Sequence, residues 1–318
     1  MQNLDPVGAP LRLMERLKPF AVIEPAAWLK PTWQAASSIL LPQPRPASVL
    51  GRIGPLEVRL AATRKDIRRA QKLRYKIFYR DGSAIADAAT LLARRDKDAF
   101  DRICDHVLVI DHAAAHPMKA RLRRKPPVVG TYRLLSQEVA ARHGGFYTEN
   151  EFDIASLMER HSALRFLELG RSCVLPKYRN KRTVELLWHG VWSYVRQNRF
   201  DVMIGCASLE GTDPDRLRLP LSFLHHFASA PEDWRTTALP HRHIDMNRLP
   251  KEAINPRTAL RELPPLIKGY LRLGAFVGDG AVIDYQFGTT DVLMIMPVSA
   301  ISARYIEHFG ADATRHAA

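Results

Sequence analysis

Residues Leu164 to Leu187 read LRFLELGRSCVLPKYRNKRTVELL, and the reading of this stretch decides the fold. It has the form of a buried strand, a kink softened by glycine, a basic turn and the start of a helix. Extended side chains alternate, so Leu164, Phe166 and Glu168 share one face and a carboxylate stands on an apolar side. Gly170 permits a bulge or bend that would bring Arg171 round to the face of Glu168. Pro176 ends the strand, Tyr178, Arg179, Lys181 and Arg182 crowd the turn, and Thr183 stands where a helix cap is expected. A cationic turn at a helix N-terminus suits an anionic, phosphate-bearing group.

Working outward, Val184, Leu187, Trp188, Val191 and Val195 recur on one face and predict a helix over 183–197. The run DVMIGCASL, 201–209, is almost unbroken apolar sequence, the mark of a strand covered on both faces. Upstream, Leu56 to Leu60 alternates as a short strand. Thr63 and Asp66 then open a helix carrying Ile67, Ala70, Leu73 and Ile77 and ending at Asp81-Gly82. On it Arg74 and Phe78 lie one turn apart. Asp96, Asp98 and Asp101 precede a strand, His106 to Ile110. A basic connector, Lys119 to Lys125, leads to a second strand, Val128 to Leu135, that carries Arg133. Gly144 to Met158 reads as loop, then helix. Beyond Asp213 come a helix (Leu219 to Ala228), an irregular segment rich in His and Pro, and strands at Ala281–Phe287 and Asp291–Met296. This order implies an α/β sandwich around a mixed sheet.

The chain has 318 residues, enough for one large domain with extensions. Residues 1–50 hold eight prolines with Trp28, Trp33 and Ile39-Leu40-Leu41, and form an extension that is either a tail or a membrane-surface or dimer contact. Residues 51–212 form the core, and 213–318 a C-terminal extension that completes it. The composition is globular, 46% hydrophobic and 25% charged. With 47 basic against 33 acidic residues the net charge is +14, which favours a polyanionic partner. Three cysteines without a CxxC pair argue against a disulfide framework or a structural zinc site, and no run is long and apolar enough to span a bilayer. The expected compartment is the cytoplasm, with peripheral contact to the membrane's inner face left open.

The element order and the turn V-x-P-x-Y-R resemble the N-acetyltransferase superfamily, which implies a mixed sheet flanked by helices. In that family the turn continues with two glycines whose backbone cradles the pyrophosphate of coenzyme A; here Arg182 and Val184 hold those positions. Side chains there obstruct a close backbone approach. The implied donor is therefore a phosphopantetheine arm on acyl carrier protein, held by Cys173, Val174, Tyr178, Arg179, Lys181 and Arg182, with no separate cofactor. Arg74 with Phe78, Asp98 with Asp101, Arg133, and Glu168 with Arg171 are similar to the ordered motifs of acyl-homoserine lactone synthases. The wording ELGRSCVLPKYRNKR and LPPLIKGYLRLGAFVGDGAVIDYQFGTTDV looks closer to the ornithine lipid-forming N-acyltransferases, over roughly residues 50 to 310. That likeness implies transfer of a 3-hydroxyacyl chain to the α-amino group of L-ornithine, giving lyso-ornithine lipid.

The residue types suit this chemistry. Glu168, with a pKa raised by burial, would take the amine's proton directly or through water, and backbone amides near Gly170, Ser172 and Cys173 would face the oxyanion. The competing reading makes Glu168 an ion-pair partner of Arg171 or Arg133. Arg74 and Arg133 would hold a substrate carboxylate and Asp98 or Asp101 the δ-ammonium, unless these residues form a solvated charge network. His106 and Asp111 match the H-x-x-x-x-D spacing of glycerolipid acyltransferases, but five residues along a strand put them on opposite faces. Cys173 has no evident His partner, and His225, His226, His241 and His243 lack a ligand pattern, so neither a thiol nucleophile nor a metal is expected. The rival functions are a homoserine lactone synthase using S-adenosylmethionine and a non-catalytic basic protein; no nucleic-acid-binding motif supports the second.

Overall fold

The computed structural model describes residues 48–114 and 125–301. The contacts read for Trp28 and Trp33, and all but the end of the Lys119–Lys125 connector, lie outside them.

Eight strands form one sheet in the order β1-β2-β3-β4-β5-β6-β8-β7: β1 Val49–Ile53, β2 Leu56–Leu60, β3 Asp105–Asp111, β4 Val128–Ser136, β5 Phe166–Val174, β6 Val202–Glu210, β7 Phe276–Asp284 and β8 Thr289–Pro297. Neighbours are antiparallel except β5 and β6, which the helix α5 (Lys181–Asn198) joins by a crossover. Residues beyond 213 thus extend the core's own sheet, since β8 pairs with β6 along its whole length.

Two apolar layers cover the sheet. On one face α5, α6 (Arg218–Ala228), α7 (Pro256–Glu262) and α8 (Pro265–Arg272) pack with Val58, Tyr132, Leu167, Leu169 and Met203. On the other, α1 (Arg64–Tyr75) seats Ala70 and Leu73 on Leu108, Ile110 and Val128. Beside it, α3 (Gln137–Arg142) and α4 (Ile154–Arg160) pack on Phe166, Val202 and Ile204. Glycine sets how close α5 comes to the sheet: a Cβ at Gly190 would stand 2.5 Å from Val58 Cγ2.

Several local expectations change. The cap of α5 is Asn180, whose side chain accepts from Thr183 N at 3.0 Å; Thr183 itself is buried in the first turn. Val184 is 41% exposed, because the buried stripe runs through Leu186, Leu187, Val191 and Val195. The helix begun at α1 continues from Lys76 to Arg80 as a π-helical segment, a widening often found at functional sites. The region read as irregular contains α7 and α8, each started by a proline at its first position, where the missing N–H costs no bond. β1 and a short helix α2 (Ala88–Ala93) were not expected.

The β5/β6 ladder is short. It runs from Phe166↔Val202 to Glu168↔Ile204 and stops, although both strands continue for six more residues, to Val174 and Glu210. Beyond Glu168 the two strands are no longer paired. Gly205 stands at the divergence, with the position of a Cβ 2.2 Å from the Leu169 carbonyl oxygen. Gly205→Ala should therefore force the strands apart and destabilise the protein by about 1–3 kcal/mol. The check is a lower urea midpoint at an unchanged slope.

Candidate active site

The expected bulge in β5 is present, but a different residue makes it. Thr131 pairs with Cys173 and Arg133 with Gly170, so Arg171 and Ser172 together face the single residue Tyr132. Arg171 adopts the left-handed conformation with φ +51°, while Gly170 does not. Such a conformation costs an ordinary residue about 1 kcal/mol or more, so the side chain must be strongly held. It is: the Arg171 guanidinium lies over the rings of Tyr147 and Phe287, at 4.9 and 4.5 Å from their centroids. It also approaches Asp96 at 3.5 Å and Asp98 at 3.4 Å.

Those aspartates belong to a larger internal network. Arg74, fully buried on α1, bonds Asp96 through Nε at 2.6 Å and Asp101 through Nη2 at 2.9 Å. Arg133 pairs with Asp98 at 2.6 Å and approaches Asp101 at 3.6 Å. Arg74, Arg133 and Arg171 therefore balance Asp96, Asp98 and Asp101. The neighbouring guanidiniums hold the Asp98 and Asp101 carboxyls below the usual range despite their burial. The residues read as a substrate clamp, Arg74, Arg133, Asp98 and Asp101, thus meet one another in a network that is largely buried rather than solvated. Phe78, on the π-helical segment, meets Phe287 edge to face at 5.7 Å and so walls the site.

Glu168 is 4% exposed and lies where β5 and β6 part. It makes no ion pair among the described residues. Its carboxylate instead accepts from Tyr147 N at 3.2 Å, Thr148 N at 2.7 Å and Thr148 Oγ1. These are the first amides of the 3-10 turn Tyr147–Asn150, which Glu168 therefore caps from across the sheet. Burial pushes the Glu168 pKa up, and the bonds from Thr148 offset only part of that rise.

Sequence reading did not single out what surrounds Glu168. Glu151, Asp284 and Asp291 are buried with carboxylate oxygens within 4.8 Å of one another. Cys206 Sγ donates to Glu151 at 3.1 Å, and Arg242 stands 3.6 Å from the same carboxylate. Burial, then repulsion from Asp291, raises Glu151 to about 7; burial raises Asp291 to about 6. The local signals were YTENE, 147–151, and a hairpin bracketed by two aspartates, DYQFGTTD, 284–291.

The expected donor end has a different character. Arg179 Nε donates to Val174 O at 3.1 Å, and the Tyr178 hydroxyl donates to Asp111 at 2.6 Å. Lys181 is largely exposed and pairs with Glu185 at 3.6 Å, while Arg182 lies across Gly54. Ser172 hydrogen-bonds Tyr132, which in turn meets the Tyr270 hydroxyl at 2.8 Å. Cys173 is buried beside α1, and burial pushes its thiol up to about 12, so it is not a poised nucleophile.

A family model described as Acetyltransferase (GNAT) domain matches residues 73–189. An L-ornithine N(alpha)-acyltransferase of Brucella abortus is 52% identical over 269 residues, 85% of this chain and 94% of its own length. That of Agrobacterium fabrum is 51% identical over 267 residues, 84% and 89% of the two chains. Another from Rhodobacter capsulatus is 40% identical over 80% of this chain and 94% of its own. Among solved structures, an N-acyl amino acid synthase from uncultured soil microbes aligns over 79% of this chain and 98% of its own at 9% identity, with a TM-score of 0.44.

The raised carboxyls fix a pH dependence. Glu168, Glu151 and Asp291 hold protons in the folded protein that the unfolded chain releases at lower pH. Their stabilising contribution is complete below the usual carboxylate range and is lost as pH rises through about 6 for Asp291 and about 7 for Glu151. Urea midpoints should fall over that window, and Glu151→Gln combined with Asp291→Asn should flatten the slope.

Proposed function

We propose, because the chain belongs to the L-ornithine N(alpha)-acyltransferase family, that it moves a 3-hydroxyacyl group from acyl carrier protein to the α-amino group of L-ornithine, forming lyso-ornithine lipid. The observation that carries the chemistry is the buried Glu168 at the point where β5 and β6 part, next to the Arg171–Ser172 bulge. The amine nitrogen attacks the thioester carbonyl, the C–N bond forms, and Glu168 takes the nitrogen's proton directly or through water. Amides of the bulge, where β5 has left β6, face the oxyanion. The C–S bond then breaks and the phosphopantetheine leaves as its thiol. Arg171, which is the least buried of the three arginines and has no aspartate closer than 3.4 Å among the described residues, receives the acceptor's carboxylate. Glu151, Asp284 and Asp291 supply a negative field for its δ-ammonium, in the place first read for Asp98 and Asp101.

For the donor, the support is the α5 N-terminus. Asn180 already occupies the amides of Thr183 and Val184, so little backbone is left to cradle a diphosphate. Lys177, Arg179, Lys181 and Arg182 stand exposed instead, matched to one phosphate and an acidic protein surface.

Incubation with 3-hydroxyacyl carrier protein and a panel of amino acids should give an N-acyl-ornithine by mass. Glu168→Gln keeps an oxygen acceptor for the 147–150 turn while removing the base, so single turnover should slow by about 100-fold or more with the fold retained. Full-rate transfer by the folded variant would remove Glu168 from the mechanism. Arg179→Glu with Arg182→Glu should raise KM for the carrier protein about tenfold or more and leave a free pantetheine thioester little affected. Equal losses on both donors would refute carrier recognition at this turn.

A further inference from the structure

Helix α2 buries none of its six residues. Leu92 is 90% exposed, Leu91 55%, Ile85 just before the helix 70%, and Tyr285 on the β7–β8 turn 68%. A helix this short has little stability of its own, and the bond from Thr90 N to the Asp87 cap, 2.7 Å, does not replace missing burial. An apolar element left open to water calls for something to cover it.

Its position and charge say what. Ile85 N donates to Gln286 O at 2.7 Å and Ser83 Oγ to Phe287 O at 2.8 Å, so this strip and Tyr285 are fastened to one turn. Phe287 in that turn is the ring on which Arg171 rests, so the strip adjoins the site. Arg94, Arg95 and Lys97 follow at the end of α2. Arg94 and Lys97 make no ion pair among the described residues, whereas Asp81 is taken by Arg80 and Asp87 by the cap. Exposed leucines with cations beside them match the interface of an anionic bilayer, where apolar side chains enter and basic ones meet phosphate.

We propose that Ile85 to Ala93, together with Tyr285, inserts into the head-group layer of an anionic lipid surface, with Arg94, Arg95 and Lys97 at its phosphates. The choice of lipid rests on the reading above, in which the product is a single-chain amphiphile that must leave water. The anchor places the Phe287 side of the site against the phase that receives it.

The full chain is sedimented, without substrate, with vesicles of phosphatidylcholine alone or mixed with phosphatidylglycerol. Binding is expected only to the mixture. Leu91→Ser with Leu92→Ser, and separately Arg94→Glu, should each weaken it about tenfold or more. Single turnover with a short-chain, water-soluble thioester should stay unchanged in both. Variants that bind like the parent overturn the proposal, as does equal binding of the parent to both vesicles. Loss of the short-chain reaction would assign the strip to the active site instead. A dimer that Leu91→Ser with Leu92→Ser dissociates, read by light scattering, would assign it to a second copy. Since the vesicle measurement involves no acyl acceptor, a failure of the ornithine reading shows up separately, in the transfer assay alone.

Discussion

The site depends on a buried, electroneutral set of charges, Arg74, Arg133 and Arg171 against Asp96, Asp98 and Asp101. Burying ions gains little net stability, because desolvation offsets most of their attraction. Removing one partner is another matter, since an unpaired buried charge costs about 3–5 kcal/mol. The network therefore specifies geometry more than it strengthens the fold. It ties α1, the segment before β3, and strands β4 and β5 into one arrangement, and that arrangement keeps Arg171 in a backbone conformation it would otherwise leave.

The second constraint is the early end of the β5/β6 ladder. Glu168 is the last residue of β5 paired with β6, and it faces the 3-10 turn 147–150 whose amides it caps. That double role explains how a carboxylate is tolerated there. The donors compensate its charge enough to keep it in place, while burial still leaves its proton affinity raised. Both properties come from the same position at the fork of the sheet.

Much of this was legible in sequence. Alternation marked β2, apolar runs marked β3 and β6, and helical spacing marked α1 and α5, because in each the buried faces follow the period of the backbone or cover both sides of it. α7 and α8 lay hidden in the segment read as irregular, where Pro256 and Pro265 are helix starters. At the site, Arg74, Asp98, Asp101, Arg133, Glu168 and Arg171 were all picked out, yet not their partnerships. Charge type shows in a sequence, but which charge meets which depends on separations such as the 73 residues between Asp98 and Arg171. Asp96 was passed over as one aspartate among three. Thr148, Asp284 and Asp291 sit on a turn and a hairpin whose periodicity predicts no burial, so nothing local marked them as neighbours of Glu168.

The proposed donor preference follows from how the α5 N-terminus is used. A backbone cradle acts through short, directed N–H bonds and recognises a diphosphate at contact distance. Here the Asn180 carboxamide takes the Thr183 amide, and its carbonyl takes that of Val184. What stands exposed is a set of side-chain cations, Lys177, Arg179, Lys181 and Arg182, whose field reaches about 8–10 Å before salt screens it. Such a field cannot select a diphosphate by shape, but it does favour any large acidic surface that brings a phosphate with it. On this reading, exchanging backbone recognition for side-chain recognition exchanges a small-molecule donor for a protein-borne one.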